Sequence, residues 1–321
     1  VAASSAVRGA TAGLLALVAS WAWGQPYAYV SNEWADNIVV IDVTKAAVVS
    51  TVPVGKRPRG IALSPDARTL YVALGGEGAI ALVEVATLKV VGKIPAGSDP
   101  EMFALSRDGS KLYASNEDAG SASLIDLARR VVVATVPVGD EPEGVAVSPD
   151  GKLIYVTSET DHAVAVIQAE PFKLLTKIPV DKRPRGTAFM PDGSRAFVTA
   201  EIGGSVSIID VKGSKVSSTV PIDRPGARPK DVLVSPDAKR LYVSTGRGNE
   251  VVVLDPSTGK LLAQIGVGER PWGLGITRDG RRLLVANGLS SNVSIIDTES
   301  LSVVATVAAG KGAWGVAVAP R

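Results

Sequence analysis

Arg59, Glu101, Glu143, Arg185, Lys230, Trp272 and Trp314 occupy one equivalent place in seven recurrences of a short frame. It reads GKRPRG at residues 55–60, GSDPEM at 97–102, GDEPEG at 139–144 and DKRPRG at 181–186. Cations, carboxylates and indoles gathered at one place can do two kinds of chemistry. Arginines and a lysine beside indoles can hold a small anion or a flat conjugated ring. A carboxylate such as Glu101 or Glu143 can act as general base while Arg59 or Arg185 steadies a developing oxyanion. A plainer reading is that these charges pair across neighbouring repeats at the surface, where such pairs contribute only ~0–1 kcal/mol each.

Further candidates surround this set. Glu33, Glu117, Glu159 and Glu201 recur at one position in four repeats and could bind calcium if they converged, which the sequence does not show. Trp34 joins Trp272 and Trp314 as the tryptophans beyond residue 24. His162 is the sole histidine, so a Ser-His-Asp triad could form only around it and a multi-histidine metal site cannot form. With no cysteine, thiol catalysis, iron–sulfur clusters and covalent c-type haem are excluded. Asp66, Asp108, Asp150, Asp192, Asp237 and Asp279 belong to turns such as SPDG, where Asp bonds its own backbone; we assign them no chemistry and no metal. Asp42, Glu84, Asp126, Asp210, Asp255 and Asp297 close strands in the same manner.

The frame is positioned by a repeat. Its prolines fall at Pro58, Pro100, Pro142, Pro184, Pro229 and Pro271, with Ala313 in the seventh place, at spacings of 42, 42, 42, 45, 42 and 42 residues. Each unit supplies four short runs rich in Val, Ile, Leu and Tyr between turn residues, for example GIALS, TLYVAL, AIALVEV and KVVGKIPA. A period of 40–45 residues with four strands is a propeller blade. The last unit ends after one strand, WGVAVAPR, while the N-terminal part supplies three, YAYVSN, NIVVIDV and VVSTVPV. The expectation is an all-β chain forming a single seven-bladed β-propeller with four antiparallel strands per blade. N-terminal strands pairing with the C-terminal strand would close the ring. Strand direction then puts the frame and the second-to-third loops on one face, with the seven frame residues at the mouth of the central channel.

Residues 1–24 read as a secretory signal peptide and 25–321 as the propeller: Arg8 precedes an apolar stretch from Gly13 to Trp23 that ends on small residues. The mature chain is then expected to be periplasmic, soluble and without a membrane span. Composition agrees, with 46% hydrophobic and 21% charged residues, and a formal net charge of +2 offers no field for nucleic acid.

The stretches YVSNE, RPRGIALSPD, EPEGVAVSPDG, AEIGGSVSIIDV and RPWGLGITRDG resemble the YVTN-type β-propeller repeat family. Their order, with the insertion in DRPGARPKD (residues 223–231), resembles the subgroup of PQQ-dependent catabolism-associated β-propeller proteins. That resemblance implies a periplasmic protein accompanying quinoprotein alcohol oxidation. The function expected from it is a non-catalytic accessory propeller, a monomer, binding a small anion or a partner such as a quinoprotein dehydrogenase or cytochrome at the channel mouth. PQQ is the sharp version of the ligand, held by Arg59, Arg185 and Lys230 against Trp272 or Trp314. The alternatives are a propeller lactonase and an interaction scaffold without a small ligand.

Overall fold

The computed structural model describes residues 26–319, and the signal-peptide expectation for residues 1–24 lies outside them. Seven four-stranded antiparallel sheets form the blades of a ring. In blade one the strands run Pro58–Leu63, Thr69–Leu74, Ala79–Glu84 and Lys89–Pro95 from the channel outwards. The next five blades begin at Pro100, Pro142, Pro184, Val232 and Pro271. The seventh takes Ala313–Val318 as its inner strand and Tyr27–Asn32, Asn37–Asp42 and Ala47–Pro53 as the other three. The closing pair is antiparallel, with Ala28 opposite Val318 and Val30 opposite Val316. Among the described residues no helix is long and apolar enough to cross a membrane.

The pattern of apolar residues follows from packing sheets face to face around a ring. The second and third strands are buried on both faces and are almost continuously apolar, whereas the outer strands alternate weakly and stay largely exposed. Seven apolar clusters fill the interfaces between blades. Tyr29, Val40 and Val52 of the seventh blade, for example, pack on Leu70, Val72 and Ala81 of the first. The third residue of the second strand is a large buried ring in five blades, Tyr29, Tyr71, Tyr113, Tyr155 and Phe197, and Tyr242, second in Leu241–Ser244, is buried likewise.

The turn acids are as expected. Asp66 accepts from Ser64 Oγ (2.6 Å) and from the Arg68 N–H (3.1 Å), and Asp255 accepts from Ser257 and Thr258 in the same way. These bonds hold the Asp66 carboxyl below its usual range, and Asp255 is lowered to about 2.

Candidate functional site

The inner strands start with the frame, so their second residues ring the channel mouth. Arg59, Glu101, Glu143, Arg185, Trp272 and Trp314 all lie at that place, as the spacing requires. Blade five differs: its inner strand is only Val232–Val234, and Lys230 sits two residues before it, beyond the three-residue insertion. Lys230 is nevertheless held in line, donating its N–H to the Ser244 carbonyl at 2.9 Å.

Two devices fix this ring of backbones. The frame's glycine lets neighbouring inner strands touch: a Cβ on Gly144 would lie 2.2 Å from the Arg185 carbonyl oxygen, and one on Gly273 would lie 2.4 Å from that of Trp314. Beside this contact, one hydroxyl in each of five blades ties two inner strands together. Ser31, Ser115, Thr157, Thr199 and Ser244 donate to the carbonyls of Arg59, Glu143, Arg185, Lys230 and Trp272 at 2.5–2.7 Å. Each hydroxyl also accepts an N–H from the inner strand of its own blade, at 2.8–3.1 Å. The equivalent places in blades one and six hold Ala73 and Ala286, so Glu101 and Trp314 lack this tie.

The charged residues do pair across blades, but as a buried network rather than as surface pairs. Arg59 is 9% exposed and meets Glu33 (2.8 Å), Glu117 (3.0 Å) and Glu101, with Asp99 at 3.8 Å. Arg185, also 9% exposed, meets Glu143 and Glu159, with Glu201 at 3.7 Å. Lys230 stands 3.8 Å from Glu201. Glu33 and Glu117 therefore meet on Arg59, and Glu159 and Glu201 on Arg185, rather than all four at one place. No acidic group of metal-holding form occurs among the described residues. Arg57 and Arg183 extend the network outward to Asp99 (3.0 Å) and Glu201 (3.4 Å). Both precede the frame's proline with left-handed φ of 53° and 58°, uncommon for a non-glycine residue.

A cavity of about 100 Å³ opens inside this ring. Its wall includes Glu143, Arg185, Lys230, Asp231, Trp272 and Trp314, closed below by apolar groups such as Ile61 and Leu274. Arg59, Glu101 and the four loop glutamates stand outside the wall. Trp314 meets Trp272 edge to face at 6.0 Å, and Arg270 and Lys230 lie over the Trp272 ring at 4.8 and 5.4 Å. Trp34 is half exposed, lies against Gly312 on the mouth and takes no part in the wall. His162 is exposed on a turn, where its Nδ1 lies 2.8 Å from the Glu159 carbonyl oxygen.

The titrating groups of the cavity are driven apart. Burial and the Glu143 charge push Glu101 well above the usual carboxylate range. Burial also opposes ionisation of Glu143, but Arg185, Lys230 and Arg59 outweigh it, helped by a hydrogen bond from Glu101, so Glu143 lies below the usual range. Burial and charge thus drive the two carboxyls in opposite directions, with Glu143 the readier to ionise. Asp231, pushed up to about 6 by burial, accepts the N–H groups of Leu274 (2.9 Å) and Val232 (2.8 Å). Lys230 is lowered to about 8 by burial and by Arg185. Three polar atoms of the wall, Trp272 Nε1, Thr187 Oγ1 and Arg185 Nε, are buried without a hydrogen-bond partner.

Sequence reasoning missed Asp231, Thr187 and Asp99. Asp231 had a signal, since it replaces the frame's glycine in RPKD where other repeats read RPRG. Thr187 had none, being one more residue in an apolar strand.

A family model described as lactonase, 7-bladed beta-propeller, matches residues 19–130 and 171–307, well over half of the sequence. The chain belongs to the seven-bladed β-propeller lactonase family. A second propeller model, described as YNCE-like, matches residues 110–195 of this lactonase-family chain. No curated protein matches it significantly. Among solved structures it is similar to hydrazine synthase of Kuenenia stuttgartiensis, with 24% identity over 81% of this chain and 89% of that one and a TM-score of 0.74. A functionally unknown protein of Desulfotomaculum acetoxidans shares 18% identity over 92% and 99% of the two chains, with a TM-score of 0.80. A Bacteroides uniformis protein with a provisional 6-phosphogluconolactonase assignment shares 19% over 92% and 100%, with a TM-score of 0.77. At these identities the likeness speaks for the fold alone.

Proposed function

We propose that the protein is a hydrolase of small lactones, with the channel cavity as its active site. The observation that carries this reading is the Glu143 carboxyl in the cavity wall beside Arg185, together with the unpartnered polar atoms of Trp272 and Thr187 in the same wall. Glu143 takes a proton from water as the hydroxide adds to the lactone carbonyl. Trp272 Nε1, Thr187 Oγ1 and the Lys230 ammonium are the groups available to the developing oxyanion. The ring C–O bond then breaks, and the alkoxide takes up the proton that Glu143 received from water. Membership of the lactonase family supports this reading over a non-catalytic one.

Hydrolysis of δ-valerolactone and glucono-δ-lactone, followed by acid release, tests it. The wild-type protein turns over at least one of them, and Glu143→Gln lowers kcat by about 10²-fold or more. Undiminished turnover in that folded variant defeats the assignment.

A second reading keeps the accessory role in quinoprotein alcohol oxidation, with export to the periplasm and a dehydrogenase or cytochrome docked on the mouth. Trp34, 51% exposed next to Glu33, which Arg57 approaches at 3.9 Å, supports a partner there. PQQ inside the channel is disfavoured: Arg59 and Arg185 are already saturated with carboxylates, and the cavity is below the ~300 Å³ of ordinary ligand pockets. Titration with PQQ, followed by calorimetry, is expected to give no saturable heat.

A further inference from the structure

We propose that Lys230 is a covalent nucleophile that captures small aldehydes as a Schiff base within the channel cavity, with Asp231 delivering the proton that expels water. This activity differs from lactone hydrolysis but shares its cavity, with Lys230 acting as a neutral amine rather than as an ammonium.

The case begins with placement. Of the seven ring residues, only the one in blade five carries an amine, and that blade alone has the insertion and the acid in place of glycine. The Lys230 backbone is held at both ends: its N–H donates to the Ser244 carbonyl (2.9 Å), and its carbonyl accepts from Thr199 Oγ1 (2.7 Å) and the Gly186 N–H (2.8 Å). The side chain, 10% exposed, lies over the Trp272 ring and has its one carboxylate contact at 3.8 Å, longer than a hydrogen bond. Arg59 and Arg185, by contrast, are locked among carboxylates. A lysine becomes a nucleophile at neutral pH when it is desolvated and set beside another cation. Both conditions hold at Lys230, where burial and Arg185 together outweigh Glu143, Glu201 and Glu101 and bring the amine to about 8.

The cavity sets the class of substrate. At about 100 Å³ it admits a short carbonyl compound, with Trp272 and Trp314 as an apolar wall and Trp272 Nε1 and Thr187 Oγ1 as unpartnered donors for its oxygen. The neutral amine adds to the carbonyl carbon, forming the C–N bond as the C=O π pair moves to oxygen. One N–H proton passes to that oxygen to give the carbinolamine. Asp231 takes up a proton from solvent and passes it to the hydroxyl, the C–O bond breaks and water leaves. The product is an iminium ion that keeps one N–H and lies beside the newly ionised Asp231. Amine, aldehyde and one proton give iminium and one water, with no redox partner needed.

The test treats the whole protein with propanal at pH 7.5, reduces with borohydride after short intervals and maps the propylated lysines by peptide mass spectrometry. Lys45 and Lys152, whose side chains are 73% and 80% exposed, serve as internal references. Lys230 is expected to be labelled at least tenfold faster than either, because its neutral fraction at this pH exceeds that of an ordinary lysine by roughly two orders of magnitude. Lys230→Arg keeps the charge and removes the fast-labelled site, and Asp231→Asn slows labelling of Lys230 at least tenfold. Labelling of Lys230 no faster than Lys45 and Lys152 overturns the proposal, and an unchanged rate in Asp231→Asn removes Asp231 from it. Lactone turnover by the same preparation is read separately, so failure of one activity is distinguishable from failure of the other.

Discussion

The Thr157 hydroxyl donates to the Arg185 carbonyl at 2.6 Å and accepts the Gly144 N–H at 2.8 Å, so one side chain of blade three fastens the backbones on either side of the cavity wall. Both partners are buried, and removing the hydroxyl leaves a donor and an acceptor unmet. Thr157→Ala is expected to cost about 1–3 kcal/mol, measured by urea unfolding, whereas Thr157→Ser stays within about 1 kcal/mol of wild type. Equal stability of the Ala and Ser variants would show that the tie does not matter.

Gly144 itself allows that approach, since any Cβ would sit 2.2 Å from the Arg185 carbonyl oxygen. Gly144→Ala must push two blades apart and is expected to cost more than about 2 kcal/mol or to prevent folding. A thermal midpoint within a degree of wild type would contradict the close packing.

Arg185 and Arg183 separate burial from mere pairing. Arg185 is buried among Glu143, Glu159 and Glu201, and Arg185→Met strands carboxylates in the interior, at a cost of about 3–5 kcal/mol. Arg183, with a side chain 42% exposed, also contacts Glu159 and Glu201, but Arg183→Met is expected to cost under about 1 kcal/mol. Similar losses in the two variants would mean that the buried network is no more than a surface one.

Asp231 gives the stability curve a slope of definite sign. Its carboxyl, at 3.8 when unperturbed, is raised to about 6 in the folded chain. Between these values the folded protein holds a proton that the unfolded chain has released, so the contribution of this group falls as pH rises and is lowest above pH 6. Stability of wild type minus that of Asp231→Asn is therefore expected to drop by about 2 kcal/mol from pH 4 to pH 6.5. A flat difference across that window would show that the carboxyl is not raised.

The sequence alone determined the ring. Strands and turns are written locally, so a proline returning every 42 residues, with one step of 45, and a lone C-terminal strand were enough to give seven blades and their closure. It also placed Arg59, Glu101, Glu143, Arg185, Lys230, Trp272 and Trp314 on one ring, because equivalent positions in a repeat become neighbours when the repeat closes. Only the tertiary structure decided what those residues are. Arg59 meets Glu101 one whole repeat away, and the Glu101 carboxyl is pushed up because burial and Glu143 act on it through space. Protonation, the division between cavity wall and outer network, and the part of Asp231 depend on distances and desolvation that no stretch of neighbouring residues encodes.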